Sequence, residues 1–212
     1  MKRTGKKRIF VGAGFLAAFV LWTVLVRLVD VRAIGPNGSS VGFAALNGYV
    51  HKLTGVNFHL YTITDWLGLV PIGVAFGFAI LGLVQWIKRK SLLKVDRSLL
   101  ALGGFYVVVL AAFIFFEIVV INYRPVLLDG FLEASYPSST TMLVMCVMPA
   151  AMMQLHERIK NRVFRRCVMV LIAVFMVIGR LVSGVHWLSD IIGGALLSTG
   201  LVIIYASVSM RK

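Results

Sequence analysis

The sequence predicts an all-α fold, a bundle of six membrane-spanning helices. A mean hydropathy of +0.92 and a 14% share of charged residues are typical of an integral membrane protein and exclude an ordinary soluble domain. Six apolar stretches come close to the ~20 residues that a bilayer-spanning helix needs. Because backbone groups in lipid must be bonded within their own segment, we expect each of these stretches to be helical.

The six predicted spans cover residues 9–29, 66–87, 99–121, 138–155, 168–182 and 187–208. The first has the length of a retained anchor, and no small-residue cleavage site follows it. Residues 1–212 are therefore predicted to form a single integral membrane domain. Within it, residues 1–8 form a cytoplasmic tail and residues 30–65 an outer loop.

Basic residues fill alternate connections between the spans and account for most of the formal net charge of +14. This is the positive-inside pattern, and it predicts a multi-pass protein of the cytoplasmic membrane with both termini in the cytoplasm. The charge also favours contact with anionic membrane lipids, so nucleic acid is not a predicted partner. The basic residues in question are Lys2, Arg3, Lys6, Lys7 and Arg8, then Lys88, Arg89, Lys90, Lys94 and Arg97, then Arg158, Lys160, Arg162, Arg165 and Arg166, and finally Arg211 and Lys212.

The outer loop contains a turn signal, Gly35-Pro36-Asn37-Gly38, followed by a partial apolar stripe at Val41, Phe43, Leu46 and Tyr49-Val50. The stripe favours a helix that lies on the bilayer surface and walls the site or guides a lipid. The alternative is a loop that only packs over the helix ends.

The cysteines and histidines indicate neither a disulfide nor a metal site. Cys146 and Cys167 differ in depth by roughly 10 Å or more on their helices, which is beyond the reach of a disulfide. Neither the histidines nor the cysteines have zinc-like spacing. No metal or other cofactor is predicted.

Polar residues stand among apolar runs in the second half of the chain, where burying them costs free energy and calls for a function. They form three groups, all at predicted outer ends of spans: Arg124-Pro125, then Pro137-Ser138-Ser139-Thr140, then Arg180, His186 and Asp190 in the pattern R-x5-H-x3-D. Distant parts of the sequence thus meet at one membrane face, as a single site requires.

These residue types suit phosphate chemistry. If His186 and Asp190 share a helix face, the carboxylate accepts the Nδ1 proton and Nε2 remains free as a nucleophile or general base. The guanidinium groups of Arg124 and Arg180 can each hold two phosphate oxygens. Ser138 and Ser139 begin a helix, where free N–H groups favour an anion. Taken singly, each group has a plainer interpretation as a surface hydrogen bond, an interfacial anchor or a helix cap.

The three groups together resemble the type-2 phosphatidic acid phosphatase family of membrane lipid phosphatases. The family pattern reads Lys-x6-Arg-Pro, then Pro-Ser-Gly-His, then Ser-Arg-x5-His-x3-Asp, and the similar core runs from about residue 117 to residue 190. The resemblance implies that His186 attacks phosphorus and forms a phosphohistidine, with Asp190 orienting the imidazole. It also implies that Arg124, Arg180 and the backbone around Ser138 and Ser139 bind the phosphate, and that the partner is a phosphorylated lipid.

The chain departs from that pattern at four positions, where it has Glu117, Ser139, Thr140 and Gly179 in place of the family's lysine, glycine, histidine and serine. The family's histidine protonates the departing alkoxide, and a threonine hydroxyl is too weak an acid for that step. An active enzyme is therefore expected to prefer lipid diphosphates, which need little protonation, or to use another acid such as Glu133 or His51.

The leading expectation is a phosphatase for an isoprenoid-type lipid phosphate or diphosphate at the outer membrane face. The alternatives are an impaired relative that binds or translocates a phosphorylated lipid, and a transferase that passes the phosphoryl group to another lipid. Glu117 is further expected to pair with Arg124 when no ligand is bound. The oligomeric state is left open.

Overall fold

The computed structural model describes residues 2–156 and 161–209, and over these ranges it contains eight α-helices and no strand. Six of the helices occupy the predicted spans, which confirms the all-α fold. The helices are α1 (Lys2–Leu28), α2 (Ala44–Thr54), α3 (Phe58–Leu67), α4 (Leu69–Arg89), α5 (Arg97–Ile118), α6 (Ser139–Gln154), α7 (Arg162–Val182) and α8 (Leu188–Ser209).

Among the described residues, four helical stretches are long and apolar enough to cross a membrane, namely Gly5–Leu28, Phe58–Arg89, Arg97–Ile118 and Leu188–Ser209. The helix α6 is apolar but shorter, with 16 residues, and α7 has 21. Together these elements make a multi-pass membrane protein with the six helices at the predicted positions.

Two predicted span boundaries differ from the observed helix ends for local reasons. The helix α7 begins at Arg162, six residues before the predicted span, because the Asn161 side chain caps it by accepting the N–H of Phe164 at 3.0 Å. The predicted second span began at residue 66, but the last residues of α3 occupy that region. Gly68 separates α3 from α4, and a Cβ at this position would lie 2.8 Å from the carbonyl oxygen of Asp65.

The centre of the bundle is α8, against which α1 and α6 pack. Two glycines allow α1 and α8 to approach closely: a Cβ at Gly12 would lie 2.7 Å from Ile204 Cγ1, and one at Gly200 would lie 2.8 Å from Leu16 Cδ2. The buried core around them includes aromatic and sulfur-containing side chains of four helices, among them Phe19, Phe105, Met142, Cys146 and Tyr205. Cys146 and Cys167 are both free.

The predicted outer loop contains α2 and α3, so a helix does follow the turn. Asn47 of α2 is buried, and its Oδ1 accepts the N–H of Ser189 at the start of α8 at 3.1 Å. The N–H of Asn57 donates to the carbonyl of Ser183 at 3.0 Å. Leu46 and Tyr49 of the stripe are exposed. The segment therefore packs over the ends of α7 and α8 and still presents apolar side chains outward.

One end of the bundle, which we call the site end, carries Arg124, Ser138, Arg180 and His186. The helix α5 runs from the basic connection at Lys88–Arg97 to the site end, and α7 ends at the site end as well. The basic connection between α4 and α5 therefore lies at the opposite end. Arg158, Lys160, Arg211 and Lys212, which also entered the topology prediction, lie outside the described residues.

Candidate active site

Arg124 lies in a short hairpin that joins α5 to α6. The N–H of Arg124 donates to the carbonyl of Glu133, and the N–H of Ser135 donates to the carbonyl of Asn122, both at 3.0 Å. The tip is Asp129-Gly130, with φ values of 50° and 82°. Two consecutive positive φ angles define a type I′ turn, which suits the twist of a hairpin. The hairpin places Glu133 and Ser135 directly beside the arm that carries Arg124.

The first turn of α6 forms the second wall of the site. Ser138 is the cap residue: its hydroxyl accepts the N–H of Thr141 at 3.4 Å, and its own N–H donates to the carbonyl of Asp190 at 3.0 Å. The hydroxyl and the N–H of Ser138 are thus already engaged. Within the described ranges the N–H groups of Ser139 and Thr140 donate to no acceptor. These two groups, rather than Ser138, are available to an anion.

The turn between α7 and α8 sets the direction of His186. Gly184 has φ +70°, and a Cβ there would lie 1.9 Å from the carbonyl oxygen of Gly55. The backbone that leads from α2 to α3 therefore lies directly against this turn. His51 adds a further contact, because its Nε2 lies 3.2 Å from the carbonyl oxygen of Gly184 and its ring lies 5.4 Å from that of Trp187.

Replacing Gly184 by alanine is expected to destabilise the protein by about 1–3 kcal/mol, because the new methyl group meets backbone and the positive φ disfavours any Cβ. The measurement is thermal unfolding of the purified protein in detergent. Gly104→Ala is the matched control, since no atom lies within 4 Å of a Cβ at Gly104 in α5. Equal melting temperatures for the two variants would contradict the close packing of Gly184 on Gly55.

His186 is buried, with 3% of its surface exposed, and Nη1 of Arg124 lies 3.1 Å from its Nε2. Because a guanidinium only donates hydrogen bonds, Nε2 must be the acceptor and the ring proton lies on Nδ1. Burial first, and then the positive charge of Arg124, lowers the pKa of His186 from 6.5 to about 4. The imidazole is therefore neutral at physiological pH, with its lone pair directed at an arginine of the site.

Asp190 is completely buried and accepts several hydrogen bonds. Its Oδ2 accepts the N–H of Trp187 at 3.0 Å and the hydroxyl of Ser135, and its Oδ1 lies 3.1 Å from Nδ2 of Asn122 and 3.3 Å from the hydroxyl of Ser189. The bond to Trp187 is the carboxylate half of a capping box at the start of α8. The carboxylate is thus fixed from four sides.

The expected direct hydrogen bond from His186 to Asp190 is not formed. His186 Nδ1 lies 3.8 Å from Asp190 Oδ2, because α8 begins at Leu188 and the two residues do not share a helix face. The hydroxyl of Ser135 lies 3.5 Å from Nδ1 and also bonds Asp190 Oδ2. Ser135 therefore lies between the two groups. Neither Ser135 nor Asn122 was predicted, although both stand at the edge of the motif segments.

Arg180, at the end of α7, is 3% exposed and reaches the start of α6. Its Nε donates to the hydroxyl of Thr140 at 3.0 Å, its Nη2 lies 2.6 Å from Asp65 Oδ1, and its guanidinium carbon lies 4.8 Å from the centre of the Tyr61 ring. In the described part of the chain its buried Nη1 has no acceptor. A buried, unpaired guanidinium N–H is costly unless a ligand accepts from it.

Carboxylates stand beside both arginines. Glu133 Oε2 lies 3.0 Å from Arg124 Nε, and this contact is an ion pair without hydrogen-bond alignment. Glu117 was expected to pair with Arg124, but Glu133 takes that place because the hairpin brings it opposite the arginine. Glu117 ends α5 close enough to interact electrostatically with Arg124 and Glu133. Arg180, by contrast, forms a hydrogen-bonded ion pair, because its Nη2 donates to Asp65 Oδ1 at 2.6 Å.

The structure thus brings together the predicted residues at one end of the bundle. Arg124 contacts His186 directly, Arg180 contacts Thr140, and both guanidiniums act electrostatically on the imidazole. Within the described residues no group of three or more His, Cys, Asp or Glu side chains could hold a metal ion. The arrangement offers positive charge, free backbone N–H groups and a neutral imidazole, which suits binding and attack of a phosphoryl group.

The bundle and this arrangement define a multi-pass membrane protein with a candidate phosphate site at one end. Residues 119–212 match the model of the PAP2 superfamily. The match covers the second and third motifs and the Arg-Pro of the first. It confirms the family resemblance that the motifs indicated.

The fold is also similar to that of a solved structure, the first transmembrane PAP2-type phosphatidylglycerolphosphate phosphatase from Bacillus subtilis. The TM-score is 0.57 and the sequence identity 19%, over 92% of this chain and 93% of that chain. At this level of identity the likeness shows the shared fold. No curated protein matches the chain significantly.

Proposed function

We propose that the protein is a membrane lipid phosphatase in which His186 attacks phosphorus and becomes transiently phosphorylated. The family match and the shared fold support hydrolysis of a lipid phosphate in general terms. The observation that carries the proposal is the neutral, buried His186 with its Nε2 lone pair held at 3.1 Å from Arg124. Bound phosphate would draw the guanidinium to its own oxygens and release that lone pair for attack.

The other groups have complementary roles in this proposal. Arg180 and the N–H groups of Ser139 and Thr140 bind the equatorial oxygens, on which charge builds up in the transition state. Ser135 and Asp190 position the Nδ1 side of the ring and stabilise the positive charge that it acquires. Arg180, Ser135 and Asp190 are buried, and Arg124 and Ser135 lie within 3.5 Å of the two ring nitrogens of His186.

The topology proposal follows from the distribution of basic residues. The basic connection between α4 and α5 lies at the end of the bundle opposite the site end. By the positive-inside rule, this supports a site on the outer face of the cytoplasmic membrane and termini in the cytoplasm. A lipid phosphate would approach from the outer leaflet. The exposed apolar side chains of α2 suit that leaflet.

Thr140 decides which leaving group the enzyme can expel. Its hydroxyl accepts from Arg180 Nε and has no acidity to offer, so an alkoxide would leave unprotonated. When His186 attacks the terminal phosphorus of a lipid diphosphate, the P–O bond to the lipid monophosphate breaks, and water then hydrolyses the phosphohistidine to release phosphate. The departing lipid monophosphate has a pKa of about 6–7 and needs little help, whereas general-acid assistance to an alcohol is worth about 10²–10⁴-fold. An isoprenoid-type diphosphate is therefore the proposed substrate.

The experiment compares phosphate release from a long-chain isoprenoid diphosphate and from its monophosphate in detergent micelles. With the wild-type protein, we expect phosphate release from the diphosphate to be about 10²–10⁴-fold faster than from the monophosphate. Thr140→His should reduce this rate ratio, because it should accelerate hydrolysis of the monophosphate. Thr141→His lies one residue further along and serves as the position control. Equal rates on both lipids with the wild-type protein would contradict the leaving-group argument.

A second candidate is a non-catalytic protein that binds or translocates a phosphorylated lipid. It is favoured by the carboxylates that already pair with both arginines and by the absence of an acidic group at Thr140. Under this alternative the protein binds lipid diphosphate without releasing phosphate.

If the protein is instead a phosphatase that uses a substitute acid, Glu133 is the best-placed candidate, because its side chain is 46% exposed beside Arg124. His51 instead holds the Gly184 turn.

A further inference from the structure

We propose that the protein binds an anionic phospholipid between α4 and α5, at the end of the bundle opposite the site end. One acyl chain lies in a cleft between residues 78–86 and 92–106, which we call the α4–α5 cleft. The headgroup lies on the basic connection at Lys88–Arg97. The inference does not depend on the proposed function, because the cleft and the candidate active site share no residue.

The α4–α5 cleft has a volume of about 400 Å³ and mainly apolar walls, which include Trp86 and Tyr106. Among the described residues, no atom lies within 4 Å of a Cβ placed at Gly82 or Gly103, so both glycines border open space. Trp86 is exposed, and the cleft therefore opens on the outer surface of the bundle. In a bilayer that surface meets lipid chains, which fill such a cleft because unfilled apolar space loses dispersion contacts.

The depth of the α4–α5 cleft matches one leaflet of a bilayer. Its lining runs from Leu99 to Tyr106 on α5 and from Phe78 to Trp86 on α4. At about 1.5 Å rise per residue, Tyr106 lies roughly 14 Å from the start of α5 at Arg97. Half of the hydrocarbon core of a bilayer is about 15 Å. The cleft thus suits the acyl chain of a single leaflet, whereas a partner helix would need a groove along the whole span.

The basic connection forms the mouth of the α4–α5 cleft, since its Leu92 and Val95 also line the cleft. Its one carboxylate, Asp96, is already engaged: Oδ1 accepts from Arg89 Nη1 at 2.8 Å, and Oδ2 accepts from Gln85 Nε2 at 2.7 Å. These bonds tie the end of α4 to the start of α5. The other cations of the connection are exposed and form no ion pair within the described residues, namely Lys88, Lys90, Lys94 and Arg97.

The charge at the mouth distinguishes between possible occupants of the cleft. Cations at the level of the headgroups attract anionic phospholipids, and basic pockets between membrane helices are known to hold such headgroups. A second copy of the chain fits less well. In a two-fold dimer with its axis along the membrane normal, the basic connections of both copies would approach each other and repel. The geometry therefore favours a lipid with a negative headgroup.

The experiment measures quenching of Trp86 fluorescence by phospholipids with brominated chains, using the full-length protein in neutral-detergent micelles. The Trp86 signal is the difference between the wild-type protein and Trp86→Phe. We expect phosphatidylglycerol to reach half-maximal quenching at an about tenfold lower mole fraction than phosphatidylcholine. Lys90→Gln/Lys94→Gln should reduce this preference at least about threefold. Lys6→Gln/Lys7→Gln, the matched change of two exposed lysines of α1, should retain it.

A steric pair of variants separates the cleft from the rest of the basic surface. Gly103→Leu fills the α4–α5 cleft and should abolish the preference for phosphatidylglycerol. Gly104→Leu is the matched control, because Gly104 is the next residue of α5 and does not line the cleft. Gly82→Leu fills the cleft from α4 and provides the same test if Gly103→Leu does not fold.

Three results would overturn the inference. The first is an equal half-maximal mole fraction for the two lipids with the wild-type protein. The second is a preference for phosphatidylglycerol that persists in both Gly103→Leu and Gly82→Leu, since the lipid would then bind elsewhere. The third is a wild-type dimer that Gly103→Leu converts to a monomer, which would assign the cleft to a second copy of the chain.

Discussion

Replacing His186 by alanine is expected to lower phosphate release by at least about 10⁴-fold, because the substitution removes the atom that forms the bond to phosphorus. Binding of the diphosphate should persist, since the arginines and the α6 N–H groups remain. The measurement is steady-state turnover of the lipid diphosphate, with thermal unfolding as a check that the variant folds. His186 is buried, so a moderate change in melting temperature is expected as well.

His59→Ala is the matched control for this substitution, because His59 lies on α3 and is exposed. It should leave turnover within about twofold of the wild type, as surface substitutions usually do. Turnover in His186→Ala comparable to that in His59→Ala would show that another group attacks phosphorus, and the proposed mechanism would fail.

The lowered pKa of His186 gives this account a pH dependence with a definite sign. The free imidazole is neutral above a pH of about 4 and becomes protonated, and hence non-nucleophilic, as pH falls through that value instead of near 6.5. Arg124→Gln removes a positive charge that lowers the pKa of His186. The acid limb of the pH profile of kcat/KM should therefore move to higher pH. The ionisation of the substrate is common to both proteins and cancels in the comparison.

The lowered pKa of His186 also makes the folded protein less stable as pH falls. The unfolded chain binds a proton at His186 near pH 6.5 and the folded protein only near 4, so this residue destabilises the fold progressively as pH falls from about 6.5 to about 4. Above that window its contribution to the pH dependence of stability vanishes.

Arg180→Ala is expected to lower kcat/KM by about 10²–10⁴-fold, through loss of two charge-assisted hydrogen bonds to the transferring phosphoryl group. Arg180→Lys should recover little of this, because an ammonium cannot reproduce the planar fork and would leave the hydroxyl of Thr140 without its donor. The measurement is the pair of constants kcat and KM on the lipid diphosphate.

Asp65→Asn distinguishes a phosphate-binding role of Arg180 from a structural one. The Asp65 side chain is 59% exposed and asparagine keeps an oxygen that can accept from the buried Arg180, so the change should cost little stability while weakening a competitor for the guanidinium. We expect KM to fall or stay constant in this variant. If Asp65→Asn were as inactive as Arg180→Ala, the ion pair and not phosphate binding would be the function of Arg180.

Much of the fold could be predicted from the sequence because the bilayer imposes strong constraints. Six apolar stretches and the alternation of basic connections predicted the positions of α1 and of α4 through α8. The exact starts depended on side-chain caps such as that of Asn161, which hydropathy does not detect. Hydropathy also missed the separation of α3 from α4 at Gly68, because both helices are apolar and form one continuous hydrophobic stretch.

The site was predicted as a set of residues but not as a set of contacts. His186, Arg124 and Arg180 do meet at one end of the bundle, yet Ser135 and Asn122 were missed because their roles depend on the hairpin that leads to α6. The Asp129-Gly130 pair between Leu128 and Phe131 is a type I′ hairpin signal and could have revealed that hairpin. The pairing of Glu133 with Arg124 follows from it directly.

The most direct test of the account is the isolation of a phosphorylated intermediate. Wild-type protein mixed with lipid diphosphate and quenched rapidly in alkali should carry one phosphoryl group in a peptide that contains His186, and the label should be lost in acid, as expected of a phosphoramidate. His186→Ala should carry none. A wild-type protein that releases phosphate yet never carries the label at His186, or that carries it on another residue, would contradict the account.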